Sequence, residues 1–369
     1  MKSDKIFAFY SKSLKKRAFF PYDGQFELTY RCNLNCVHCY CKGLEDEAGE
    51  LTTDEAKSIL DEINREGCVW LALTGGEPLL REDFLEIYSY AKEKGFIITI
   101  LTNGQLFNRK IIEHLIKSPP YIIELTLNGI TRDTYEGITR LEGSFSAAMR
   151  NIKMLVKKRL PVVIKTNLMK QNKNEALKIK RWVEETVGRP RGEHYFKYDP
   201  IIYPRLNGDK TPAGFRLSFE EIMDIIRQDE DMRRQFRSEL CKDFPEFQRE
   251  KEYLYSCDCW MNQFYIDPFG RLKFCLFSKD NSIDLKKTPF REGFYEAFPR
   301  IIEEKFKTAS RCRGCRLRQM CYSCPPRAYL ERGDREKPVP YYCGFAKSMA
   351  RETYGAREEA FKDEGRALR

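Results

Sequence analysis

Three cysteines, Cys32, Cys36 and Cys39, fall in a C-x3-C-x2-C spacing. Three thiolates on one short loop can hold three corners of a cubic iron–sulfur cluster and leave the fourth iron open to a small ligand. Structural zinc is the plainer use of such residues, but it takes four ligands, typically as two paired knuckles. No second pair follows within the next thirty residues, and His38, wedged against Cys39, is poorly placed to share one metal with it. Disulfides are disfavoured because no secretory signal is seen; the basic run from Lys15 to Arg17 leads into no hydrophobic core.

A second cysteine field begins at Cys257 and Cys259, continues at Cys275, and resumes at Cys312, Cys315, Cys321, Cys324 and Cys343. Eight thiols suffice for two four-thiolate clusters. The alternative is a zinc ribbon from Cys312/Cys315 and Cys321/Cys324, whose five-residue loop is short for paired knuckles. Cys41 and Cys68 receive no assignment, and Cys241 reads as structural. Fourteen cysteines in 369 residues, 42% of them apolar and 33% charged, fit metal ligands in a reducing compartment, so a cytoplasmic location is expected. No apolar run reaches membrane-spanning length. The formal charge of +10 is spread along helices and interleaved with Glu and Asp, as between Arg227 and Arg237, so no nucleic-acid partner is expected.

The elements that must position these thiols follow from period and punctuation. Strand patterns run over Phe26–Tyr30, Val69–Thr74, Phe96–Thr102, Tyr121–Leu127, Val162–Leu168 and His194–Ile201, with helical patterns between them at Thr53–Arg65, Glu82–Lys94, Arg109–Ile116, Phe145–Lys158 and Asn174–Thr186. Thr52 with Glu55 is a capping box, and Gly67 and Gly95 close the first two helices. Alternating strand and helix imply parallel β/α units with right-handed crossovers. Six units are too few for a closed eightfold barrel, so the fold class is α/β: a partial (β/α)6 TIM-like barrel with a small cysteine-rich C-terminal domain. The expected divisions are an extension (1–25), the barrel (26–201), a helical bridge (202–256), the cysteine-rich domain (257–345) and a tail (346–369). Chemistry in such barrels gathers at the C-terminal strand ends, where Cys32, Cys36 and Cys39 fall.

Other strand ends carry matching signals. Leu73-Thr-Gly-Gly-Glu-Pro78 ends the second strand, and its glycines let backbone approach a ligand closely. Asn103 ends the third strand, and Thr126 and Asn128 the fourth; Asn103 and Asn128 read equally well as simple turn residues.

Together the cysteine trio and the Gly-Gly-Glu-Pro segment resemble the radical S-adenosylmethionine (radical SAM) superfamily. The resemblance implies a [4Fe-4S] cluster on Cys32, Cys36 and Cys39 that chelates S-adenosylmethionine and yields a 5′-deoxyadenosyl radical. It places Gly75, Gly76 and Glu77 at the cofactor's amino group, Thr126 and Arg140 at its carboxylate, and His38 at adenine, with cluster packing as the alternative for His38. Asn103 and Asn128 join this cofactor-binding set; Asn128 stands where the family usually has a carboxylate. The C-terminal field resembles the SPASM domain, which carries two auxiliary [4Fe-4S] clusters. By that motif Cys312, Cys315, Cys321 and Cys343 hold the outer cluster, and Cys259, Cys275 and Cys324 the inner one. Cys257 is the candidate fourth inner ligand, and an open iron is the alternative. The Cys321–Cys324 spacing is one residue shorter than the family norm.

Proteins of this kind most often modify ribosomally made peptides, so a peptide maturase is the expected activity. Leu276 stands where sulfatase-maturating members carry an aspartate base, which counts against that chemistry. Thirty-one residues precede Cys32, too few for a winged-helix peptide-recognition domain, so recognition is expected to be direct or through a separate small protein. A flavodoxin- or ferredoxin-type electron donor is also expected. The second expectation is a small-molecule enzyme resembling those that edit haem or other tetrapyrrole side chains. The third is a non-catalytic iron–sulfur scaffold, against which the intact Gly-Gly-Glu-Pro argues.

Overall fold

The structure is a computed structural model that describes residues 19–45, 49–188, 195–240, 251–257, 259–318 and 321–354, with backbone alone at 237–240, 259, 353 and 354. Six parallel strands alternate with helices: β1 (Asp23–Thr29), α1 (Thr53–Arg65), β2 (Trp70–Gly75), α2 (Phe84–Glu93), β3 (Ile97–Thr102), α3 (Arg109–Lys117), β4 (Ile122–Thr126), α4 (Arg132–Thr139), α5 (Ser144–Lys157), β5 (Val162–Asn167), α6 (Ala176–Thr186) and β6 (Phe196–Asp199). These strands lie in sequence order, each hydrogen-bonded to the next, as an open (β/α)6 barrel. His194, expected to begin the sixth strand, is outside the described residues.

Side-chain alternation explains the layering. Phe26, Leu28, Leu71, Leu73, Ile98, Ile100, Ile123, Leu125 and Ile164 are buried in the main core with the helices' apolar stripes. The intervening positions face the other way: Glu27 and Thr29, Thr74, Glu124 and Thr126, Lys165 and Asn167, Lys197 and Asp199, with apolar Ala72, Ile97 and Leu101 among them on β2 and β3. The barrel interior is therefore polar chiefly along β1 and β4 to β6. The Thr52–Glu55 capping box is formed at α1. Helix α4 escaped the sequence reading because it is eight residues long and follows the Asn-Gly turn directly.

The chain beyond the barrel adds α7 (Phe219–Arg227) and α8 (Glu230–Leu240), then a hairpin of β7 (Gln263–Ile266) and β8 (Arg271–Lys273), with β9 (Ile283–Asp284) at its edge. Strand β7 pairs parallel with β1, so nine strands form one sheet in the order β6-β5-β4-β3-β2-β1-β7-β8-β9. Gly24 permits this join: a Cβ there would sit 2.4 Å from the Phe264 ring. The last helices are α9 (Pro325–Arg332) and α10 (Pro340–Tyr354). No helix among the described residues is long and apolar enough to cross a membrane.

Candidate functional site

The loop after β1 is fastened on both sides. Asn35 and Val37 donate backbone N–H bonds of 2.9 and 3.0 Å to Thr139 and Ile138, at the end of α4. From the other side Gly76 donates to the Thr29 carbonyl at 2.7 Å, and Glu77 to that of Arg31 at 2.9 Å. A Cβ on Gly75 would lie 2.1 Å from the Thr29 oxygen, and one on Gly76 2.4 Å from that of Arg31. The two glycines thus let β2 press against the root of the cysteine loop, a contact no larger residue permits.

Cys32, Cys36 and Cys39 are thiols half-buried on this loop. The Cys32 sulfur accepts hydrogen bonds from Leu34 N at 3.4 Å and from Asn103 Nδ2 at 3.6 Å. Asn103, expected at the cofactor, is thus bonded to the Cys32 thiol, the kind of bond that orients a thiolate where one holds a metal. Burial pushes the Cys32 thiol up to about 11 and Cys36 higher still. A hydrogen bond with Cys41, 3.6 Å away, brings Cys39 down to about 7. Ligation must draw protons off this set. Cys41 thus borders the trio, a neighbour the sequence motif did not single out, whereas Cys68 is buried and bonded to the Trp70 carbonyl at 3.4 Å.

Glu77 is fully buried, and its carboxylate accepts from Leu79 N (3.1 Å), Thr102 Oγ1 (2.7 Å) and Asn103 N (2.7 Å). Burial raises its pKa to about 7. All three donors belong to the ends of β2 and β3, so the side chain clamps strand ends together. Asn128 is spent similarly: Oδ1 accepts from Asn167 N at 2.8 Å, while Nδ2 lies 3.2 Å from His38 Nε2. That network assigns the His38 proton to Nδ1. His38 Nδ1 is buried with no partner, and burial, aided by Lys165, lowers the ring's pKa to about 4. Thr126 is half-buried at the end of β4. Arg140 is exposed at the left-handed C-cap of α4, next to the residue that anchors Asn35.

Beyond His38 the polar barrel face opens into a cavity of about 340 Å³ lined by Glu124, Lys165, Lys197, Asp199 and Tyr322 among others. Lys197 pairs with Glu124 at 2.6 Å, and Lys165 lies 3.7 Å from Asp199. The sequence reading missed these residues; their signal is the polar alternation along β4, β5 and β6. The C-terminal field encloses a larger cavity, about 890 Å³, into which Cys312, Cys315, Cys321, Cys324 and Cys343 open. Arg318 feels the field of Cys312, Cys315 and Cys257, whereas Arg327 feels that of Cys324 and Cys275. The Cys259 side chain lies outside the described residues.

These features fit an iron–sulfur cofactor pair: three thiols on a fixed loop, donors on Cys32, an unspent His38 N–H, and five cysteines around one cavity. Residues 26–183 match the family model described as Radical SAM superfamily. That stretch of the chain is a radical SAM domain. The chain is 27% identical over 334 residues to the AdoMet-dependent heme synthase of Methanosarcina barkeri, covering 85% of this chain and 94% of that one. It is 35% identical over 129 residues to the mycofactocin maturase MftC of Mycobacterium ulcerans, about a third of each chain. Its fold resembles Streptococcus suis SuiB bound to precursor peptide SuiA, with TM-score 0.66, 18% identity, and coverage of 90% of this chain and 78% of that one. Radical SAM proteins work with a [4Fe-4S] cluster and S-adenosylmethionine.

Proposed function

We propose that this protein is a radical SAM peptide-modifying enzyme, which takes a hydrogen atom from a peptide segment held in the charged cavity between β4, β5 and β6. The observation that carries this reading is that cavity. At about 340 Å³ it is at the small end of ligand pockets, which run from roughly 300 to 1,000 Å³, and it suits one or two side chains better than a large ligand. Its opposed charges, two lysines and two carboxylates, complement a polar segment carrying both signs. MftC and SuiB, a maturase and a peptide complex, support the same class.

When bound, the cluster and S-adenosylmethionine supply one-electron reduction of a carbon–sulfur bond and thereby the means to remove hydrogen from an unactivated carbon. The chain's own residues do the rest. Cys32, Cys36 and Cys39 hold the cluster; Gly75, Gly76 and Glu77 fix the strand ends beside it; His38 offers its Nδ1 proton to the bound cofactor. Lys165 lies between His38 and Asp199 and so joins the cofactor slot to the substrate cavity. Tyr322, from the C-terminal region, closes the cavity. In the C-terminal field Cys312, Cys315, Cys321 and Cys343 hold an outer cluster, and Cys259, Cys275 and Cys324 an inner one. Cys257, whose charge acts on Arg318 together with those of Cys312 and Cys315, is the candidate fourth inner ligand, with an open iron as the alternative. A small electron-transfer protein of flavodoxin or ferredoxin type supplies the electron.

A second reading, a tetrapyrrole-modifying enzyme, is favoured by the whole-length match to the heme synthase and by Lys165 and Lys197 as partners for carboxylates. One experiment separates the readings. The anaerobically reconstituted, reduced protein is given deuterated peptide or deuterated tetrapyrrole, and transfer of deuterium into 5′-deoxyadenosine is measured. Transfer from the peptide supports the first reading, and transfer from the tetrapyrrole replaces it with the second. Absence of any S-adenosylmethionine cleavage, with the cluster present by spectroscopy, leaves only the scaffold.

A further inference from the structure

Arg327 on α9 is a guanidinium without an acid. It lies over the rings of Tyr203, Phe277 and Tyr322 at 4.7, 5.2 and 5.8 Å, and one terminal nitrogen donates to the Tyr322 carbonyl at 3.1 Å. Its Nε is buried with no hydrogen-bond partner. Among the described residues no carboxylate forms an ion pair with it. Arg216, a short distance away through Tyr342, shows how this protein normally treats a buried guanidinium: it pairs with Glu331 and bonds to the Ile202 carbonyl at 2.6 Å. A buried cation costs several kcal/mol unless an anion answers it. The groups that face Arg327 are Tyr203, Cys324, Cys275 and Tyr342. Cys324 is the N-cap of α9, one turn before Arg327, and Cys275 packs with Tyr203 on the Phe277 cluster that the guanidinium covers. None of these groups is a carboxylate, and the two cysteines are the ones that metal ligation makes anionic.

We propose that Arg327 is the countercation of an anionic iron–sulfur cluster ligated by Cys275 and Cys324, and that it sets that cluster's reduction potential. The inference rests on the inner-cluster assignment above. Metal binding deprotonates thiols outright, so ligation turns two neutral neighbours into negative ones and supplies the missing charge. Cluster potentials respond to net charge, nearby hydrogen bonds and burial. A fixed cation favours the more negative, reduced state, so Arg327 raises the potential. The aromatic rings hold the guanidinium in place without neutralising it. Tyr322 also lines the barrel cavity, so the same residue borders the substrate space and the cation.

The test uses the full chain with Cys32, Cys36 and Cys39 replaced by Ala, so that only the auxiliary signals remain. Potentiometric titration followed by electron paramagnetic resonance is then compared for Arg327, Arg327→Lys and Arg327→Met. The expected result is that the Met variant lowers the potential of one cluster and leaves the other in place, while the Lys variant, which keeps the charge, stays near the parent. Unchanged potentials with full iron content in the Met variant overturn the proposal and make Arg327 a packing residue. If the Met variant loses iron, the Lys variant decides: iron retained at a parental potential supports the countercharge, and iron lost in both overturns it. Cys275→Ala and Cys324→Ala check the underlying assignment separately, since undiminished iron in both refutes the ligand set whatever Arg327 does.

Discussion

The two cysteine regions are built on opposite plans. Cys32, Cys36 and Cys39 lie on one loop that the barrel holds rigid through backbone hydrogen bonds to Thr139, Ile138, Thr29 and Arg31. Cys275 to Cys343 come from a hairpin end, a short helical turn and two helices spread over some seventy residues, and the last five of them line a cavity of about 890 Å³. The first loop is held in place by the barrel's own backbone bonds, whereas the second region must lean on what fills it. Removing iron tests this with the largest effect. Metal sites of this kind couple to folding on a scale of about 10 kcal/mol for structural zinc. In the iron-free chain, amide hydrogen exchange across 311–343 is expected to approach that of exposed loops, while β1 to β5 keep their protection. Equal loss in both regions would break the contrast.

The joint between the regions comes next. Arg216, on the bridge after β6, is buried against Glu331 of α9, which also accepts from Tyr342. Glu331→Ala strands a buried guanidinium and is expected to destabilise the protein by about 3–5 kcal/mol in urea titration. Arg109→Ala, which removes an exposed pair with Glu113, is expected to leave the urea midpoint essentially where it was. Comparable effects of the two would mean that the C-terminal region does not rely on this joint.

Much of this contrast was legible in the sequence, and the reason is distance along the chain. The trio, the capping box at Thr52 and the Gly-Gly-Glu-Pro turn are local patterns; the capping box forms, and the turn packs on the root of the cysteine loop. The barrel strands followed from their apolar runs with boundaries within a few residues. What stayed hidden needs contacts far apart in sequence. The parallel pairing of β7 with β1 joins residues some 240 apart. Glu77 and Asn128 sit in motif positions, yet their side chains are consumed by strand ends that only the folded sheet brings near. Arg327 reads in sequence as one more helix-surface arginine.

Glu77 sharpens the comparison from the barrel side. Its pKa stands at about 7, raised from 4.5 by burial, so between those values the folded chain holds a proton that the unfolded chain releases. Stability therefore falls as pH rises through that window, by about 3 kcal/mol at most across it. Glu77→Gln carries no such proton, and its unfolding free energy is expected to lose up to about 1.4 kcal/mol per pH unit of that slope. Matched denaturant titrations of the two iron-free proteins at pH 5, 6 and 7 measure the difference. Parallel pH profiles would show that the carboxylate is already charged and that its three donors outweigh its burial.

The smallest effect probes His38, a ring of the barrel site with a donor left to give. His38 Nε2 is engaged with Asn128, and Nδ1 has no partner. If that proton faces the bound cofactor, His38→Phe removes that one bond to the cofactor, besides the Asn128 contact present with or without it, and keeps the ring's bulk, a loss to binding of about 1 kcal/mol. S-adenosylmethionine affinity should then weaken by roughly fivefold to tenfold by equilibrium dialysis. His38→Gln, with a donor on a similar reach, should recover part of it. The auxiliary clusters' resonance spectra should be unchanged in both variants. Native affinity in the Phe variant would mean that the proton points at the cluster loop instead, and that His38 packs the trio rather than reading the nucleoside.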